Sequence, residues 1–265
     1  MKKEWIQKNK RKWITLGIGL ALLVLGVVLT AVARPAAIAE GASAAAKVPF
    51  ALGLILVLTG ILVPLAGAVP KKKTTDVRTL SMAALFAALC YIGFTYCKID
   101  IPVGMEKTAF HLGNVFCVLA ALFFGGLWGG MAGAVGMTIA DLTTAYVTSA
   151  PKTFLLKLCI GLIAGLVAHK IFHISKDEER KVPLPVATVI SCAAGMAFNV
   201  VADPVVGYFY KTYVLGVPQD ASKILAKIAA MTTTVNAVIA VIAATVFYLA
   251  LRPALKKTKL LPVVK

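Results

Sequence analysis

Residues 127–146 read LWGGMAGAVGMTIADLTTAY. The run is apolar or small almost throughout, and its one ionisable group is Asp141. It has the length of a bilayer crossing, for which about 20 apolar residues suffice. Gly129 and Gly133, with Gly125 before them, form linked small-xxx-small steps, and Gly126 and Gly130 form another. That spacing lets membrane helices approach closely.

Seven further apolar runs flank this one: 13–33, 48–69, 80–97, 110–124, 153–172, 184–208 and 228–251. The 110–124 run is short for a span and is expected to sit partly inside the protein. Gly161 and Gly165 repeat the close-packing step in the 153–172 run. Strand-like alternation of useful length is not apparent, and neither is a fixed-period repeat. The expected fold is therefore all-α: a polytopic membrane bundle of a six-helix core preceded by two extra N-terminal transmembrane helices. The first run could be a signal peptide ending near Ala33 or Ala39, but its length favours a retained helix. The basic break Lys71-Lys72-Lys73-Thr74-Thr75-Asp76-Val77-Arg78 is the best boundary. It divides an extension, 1–76, from a core, 77–252, which a basic tail, 253–265, follows.

Composition agrees. Of 265 residues 60% are hydrophobic and only 15% charged, yet 28 are Lys or Arg against 11 Asp or Glu. A nucleic-acid binder with this surplus would not be so apolar. Cations instead report orientation, because cytoplasmic loops of membrane proteins carry the excess. If spans alternate sides, one face holds nineteen of the 28, at 2–12, 71–78, 170–181 and 252–265. The other holds eight: Arg34, Lys47, Lys98, Lys107, Lys152, Lys211, Lys223 and Lys227. Lys157 lies within a run. Both termini are expected in the cytoplasm, in the cell membrane, with the bilayer as the principal partner and no nucleic acid.

The ionisable and amide groups inside the runs then share one level. Ionisable side chains at membrane depth are costly and usually functional. His111 and Asn114 fall in the first turn of the 110–124 run. Asp141 precedes the Tyr146 end of its helix, and Lys157 follows the start of the next. Asn199 and Asp203 lie before Tyr208, and Asn236 lies below Ile228. All fall in the outer half. His111/Asn114, Thr138/Asp141, Asn199/Asp203 and Thr232/Asn236 are three or four apart, so each pair shares a helix face. The expected site is an outward-lying pocket for a polar small molecule, with Lys107, His111, Asn114, Asp141, Tyr146, Lys157, Asn199, Asp203 and Asn236 as its residues. The bland alternative is that these groups only pair with one another, Lys157 with Asp141 or Asp203. Pro204 favours function, since it frees the carbonyl of Val200.

Catalytic signatures are missing. The chain has no Gly-x-x-x-x-Gly-Lys-Ser/Thr loop, no His-Glu-x-x-His and no Gly-x-Ser-x-Gly. The five cysteines read as packing residues. Neither an enzyme nor a metal or cofactor site is expected.

From Ala83 to His173 the ordered motifs become specific. They are the Ala-x-x-x-Ala steps Ala83/Ala87 and Ala84/Ala88, then TAFHLGN at 108–114, LAALFFG at 119–125, AGAVG at 132–136, ADL at 140–142, APKTF at 150–154 and GLIAG at 161–165. Together they resemble the substrate-binding S component of energy-coupling factor (ECF) vitamin transporters, in the riboflavin-type branch. The resemblance covers about residues 77–252. It implies a six-helix core that binds a water-soluble vitamin, riboflavin as a first guess, with the loop from Lys98 to Ala109 capping the pocket. It also implies a transmembrane T component, docked on Ala83, Ala84, Ala87 and Ala88, and two cytoplasmic ATPases. The two N-terminal helices depart from the family plan. A stand-alone proton-coupled transporter, with Asp141 or Asp203 and Lys157 as relay, is the alternative.

Overall fold

The computed structural model describes residues 2–39, 43, 47–56, 60, 77–103, 106–258 and 260–261. The chain divides into two compact units: Met1–Thr74 with Val147–Pro151, and Thr75–Tyr146 with Lys152–Lys265. Most of the second half of the 48–69 run, and the basic break at 71–76, lie outside the described residues.

In the first unit, α1 runs unbroken from Lys2 to Ile38. Its apolar part, Leu16–Ala37, is long enough to cross a membrane. Helix α2 is described over Lys47–Leu56. Gly53 lies against the Thr30 backbone of α1, an approach that a side chain at 53 would block.

The second unit is a helical bundle with a β-hairpin at one end. Its elements are α3 (Val77–Thr95), β1 (Lys98–Val103), β2 (Glu106–His111), α4 (Gly113–Phe124), α5 (Gly126–Leu142), α6 (Ala150–Leu166, from Lys152 onward), α7 (Leu184–Phe209) and α8 (Gln219–Lys257). Wide π-type turns continue α6 over Val167–Ile171 and α7 over Tyr210–Val214. Among the described residues of the whole chain, five helices are long and apolar enough to span. The protein is thus a helical multi-pass membrane protein. Large apolar side chains face outward along it, among them Leu85, Val135, Val201 and Ile242, as lipid contact requires.

Helix α4 is the exception. Its 12 residues reach only about 18 Å. All but Phe116 are buried, with α3, α5, α7 and α8 packed around them. A short helix inside a bundle needs no full crossing, because protein rather than lipid surrounds it. Gly125, at φ 83°, alone joins α4 to α5, in a conformation that a residue with a Cβ rarely adopts.

Close approach dominates the packing. A Cβ on Gly165 would collide with the backbone of Gly126, and one on Gly161 with that of Gly130. The glycine steps of α5 and α6 therefore form one seam. Gly136 lies against the Ala87 carbonyl in the same way.

The hairpin corrects the expectation of no strands. Residues 98–103, KIDIPV, alternate over only six positions and include a proline. They pair antiparallel with 106–111, Lys98 opposite His111 and Pro102 opposite Lys107. His111 therefore ends a strand and shares no helix face with Asn114.

Several helix ends also move. Helix α5 stops at Leu142 rather than Tyr146, because the Thr143 and Thr144 hydroxyls bond back to the carbonyls of Ile139 and Ala140. Such back-bonding competes with helix continuation. Helix α6 starts earlier than Thr153. Helix α7 with its wide turn continues past Tyr208, and α8 begins at Gln219 rather than near Ile228.

At the end opposite the hairpin, Asp177 ties the 172–183 connection to the end of α8. Its carboxylate accepts from Lys256 Nζ at 2.6 Å, Arg252 Nη2 at 2.9 Å and Arg180. Arg252 also donates to the Ile174 carbonyl at 3.0 Å. Lys256, with Arg180 and Arg252, holds the Asp177 carboxyl well below the usual carboxylate range. A lowered pKa contributes stability that is present at neutral pH and lost in acid. Asp177→Asn should therefore lower the Tm at pH 7, and the difference should shrink below about pH 4. A difference independent of pH would show that the charge is not what holds the connection.

Candidate functional site

Five helices of the second unit bring polar groups together beneath the hairpin. The Cys117 thiol of α4 reaches the Lys157 carbonyl of α6 at 3.7 Å, and Asn114 lies three residues nearer the hairpin on the same face. Gly113 packs on Met137, which brings Thr138 and Asp141 of α5 alongside. Thr153 of α6 lies beside Asp141. Lys152 Nζ donates to Asp203 Oδ1 at 2.8 Å, and Thr233 of α8 donates to Asp203 Oδ2 at 3.1 Å. Lys152, Lys157, Asp141 and Asp203 all lie within electrostatic reach of one another. Tyr210 is close enough to feel Asp141.

This cluster is incompletely satisfied. Among the described residues, Asn114 Oδ1, Thr138 Oγ1, Asp141 Oδ2, Asn199 Oδ1 and His111 Nδ1 are buried without a hydrogen-bond partner. Asn114, Asp141 and Asn199 are at most 2% exposed. Such groups at membrane depth carry a desolvation cost of about 1–3 kcal/mol each, so several in one region need a partner from outside the chain.

The expected residues separate into four sets. Asn114, Asp141, Lys157 and Asp203 meet in the cluster, and the buried Asn199 lies one helical turn from Asp203 on α7. Tyr146 and His111 stand where the hairpin meets it. The Tyr146 hydroxyl donates to Asp100 Oδ1 at 2.9 Å, and the Tyr146 and His111 rings both pack edge-on against Phe94. Lys107 is exposed on β2, outside the buried set. Asn236 is spent on the hairpin: Oδ1 accepts from the His111 amide and Nδ2 donates to the Ala109 carbonyl, both at 3.0 Å. The expected partner of Asp203 changes too. Its ion pair is with Lys152, which sequence reading put in a loop.

Lys152, Thr153, Thr233, Asp100 and Lys98 are the residues that sequence reading missed. Lys98 Nζ stands 4.9 Å from the Tyr146 ring centre and 3.3 Å from Asp100. The APKTF motif at 150–154 was the available signal for Lys152 and Thr153. A cleft of about 340 Å³ runs outside the cluster, lined by Tyr96, Cys97, Lys98, Ile99, Phe110, His111, Leu112 and Ile239. It shares only His111 with the expected set.

On α3 the two alanine steps part company. Ala83 is buried and Ala87 packs on Gly136, while Ala84 and Ala88 are exposed.

Fold and cluster together define a multi-pass membrane protein with an internal polar site under a hairpin. Residues 74–253 match the family model described as "ECF-type riboflavin transporter, S component". The chain belongs to that family: it is an S component of an ECF-type transporter, a transport protein and not an enzyme. No curated protein and no solved structure matches the chain.

Proposed function

We propose that this S component captures a water-soluble vitamin, riboflavin first, in the cluster beneath the hairpin for ATP-driven uptake. The observation that carries this reading is the set of buried, unpartnered oxygens on Asn114, Thr138, Asp141 and Asn199. These accept hydrogen bonds, and so suit the imide N–H and hydroxyl groups of such a ligand. The Phe94, Tyr146 and His111 rings beside them offer apolar surface to a flat heterocycle. The family name supports riboflavin in particular.

The family also supports association with a T component and two ATPase subunits. For the T component the docking reading now rests on Ala84 and Ala88, the exposed half of the alanine steps. The loop cations support cytoplasmic termini, and the reach of the family match supports 77–252 as the binding core, with 1–76 as an added extension and 253–265 as a tail.

Mass spectrometry of the ligand that co-purifies with the protein tests the substrate. Titration with riboflavin tests the residues. Asn114→Ala and Asp141→Ala should each cost about 1–3 kcal/mol, roughly ten- to a hundredfold in Kd, while the protein still inserts. Unchanged affinity in both would remove the cluster as the binding site. Uptake that survives deletion of the ATPases and collapses with a protonophore would remove the ATP-driven mechanism.

A further inference from the structure

The hairpin is attached on its two sides by different chemistry. An antiparallel strand presents outward-facing N–H and C=O groups along its free edge. On β2 that edge includes the Ala109 carbonyl and the His111 amide. One buried side-chain amide, Asn236, satisfies both, as a neighbouring strand would. One turn earlier on α8, Thr232 Oγ1 shares a 3.0 Å hydrogen bond with Thr108 Oγ1. Asn236 and Thr232 are each 4% exposed. Just past β2, the Leu112 amide donates to the Gly93 carbonyl of α3 at 3.0 Å.

The β1 side differs. Its side-chain ties to the helices are the Tyr146 hydroxyl on Asp100 and Lys98 over the Phe94 and Tyr146 rings. The Lys98 and Asp100 side chains are 16% and 34% exposed. Water competes more readily for such ties than for the Asn236–Ala109 bond on the β2 side, which is buried.

We propose that Asn236 is a positioning residue that makes β2 the fixed edge of the hairpin, so that the hairpin opens at its β1 edge, between Asp100 and Tyr146. Asn236 then holds the cover over the ligand cluster without touching the ligand. Its bearing on transport rests on the proposed function, but the attachment itself does not.

Hydrogen–deuterium exchange on the ligand-free protein tests this. Asn236→Ala should speed exchange over 106–111 at least tenfold, with α5 and α7 peptides at wild-type rates. Tyr146→Phe should speed exchange over 98–103 and leave 106–111 unchanged. Wild-type exchange over 106–111 in Asn236→Ala, or equal loosening of both strands in Tyr146→Phe, would overturn the proposal. If Asn236→Ala fails to fold, Thr232→Val serves in its place: 106–111 should exchange faster by a smaller factor, and an unchanged rate there would likewise count against the hinge. Because no ligand is needed, a failure of riboflavin to bind would sink the substrate reading and leave this one standing.

Discussion

Lys152→Ala should destabilise the core by about 3–5 kcal/mol, the usual cost of removing one partner from a buried ion pair. The pair joins the start of α6 to the C-terminal third of α7, with side chains only 13% and 20% exposed. Without Lys152 the Asp203 carboxylate keeps one neutral donor, Thr233, at 3.1 Å. Lys157 is the remaining nearby cation, and it must also serve Asp141. The variant should show a sharply lowered Tm in detergent and no measurable riboflavin binding. The double variant Lys152→Ala/Asp203→Ala removes both charges, so it should recover much of the lost Tm and none of the binding. A double variant no more stable than Lys152→Ala would mean that the pair's charge balance is not what matters.

Gly165→Val should leave no folded protein to purify. On the α5–α6 seam the backbones of Gly165 and Gly126, and of Gly161 and Gly130, are too close to admit a Cβ. Overpacking usually costs about 1–3 kcal/mol because flexible side chains give way, but here the obstruction is backbone and the helices must separate. Both carry cluster residues, Asp141 on α5 and Lys157 on α6, so any surviving fold should also lose its ligand. Gly17, with nothing near its Cβ position, is the control: Gly17→Ala should accumulate normally. Normal accumulation and binding by Gly165→Val would refute the seam.

The hydrophobic runs were legible because a membrane span is written in one dimension. Twenty apolar residues need no partner elsewhere in the chain to be recognised. The burial of α4 was legible for the same reason, since 110–124 is too short to cross. The polar members of the cluster were also legible, because an Asn or Asp inside such a run is costly wherever its partners lie. The helix starts were less legible: α6 and α8 begin earlier than their apolar runs, because helix continues into more polar sequence. The residues still meet, since convergence depends on which faces pack, and the three- and four-residue spacings had marked those faces for Thr138/Asp141 and Asn199/Asp203.

The hairpin was harder to see. Six residues of alternation interrupted by Pro102 carry little signal, and strand pairing is satisfied by a distant segment rather than by neighbours in sequence. Asn236 shows the consequence. In the sequence it is one more polar residue in a span, indistinguishable from Asn199. Only the folded chain sets it opposite β2, 127 residues from Ala109, and makes it a support for the cover.

By itself the sequence determined the membrane class, the helical core, the family and the polar residue types of the buried cluster, because each follows from local composition, periodicity or motif order. Tertiary structure alone decided the partnerships: Lys152 rather than Lys157 on Asp203, Asn236 on the hairpin, and Ala84 and Ala88 rather than Ala83 and Ala87 on the open face of α3. A hydrogen bond or ion pair depends on distances of about 3 Å between groups remote in the chain, and no one-dimensional pattern encodes them.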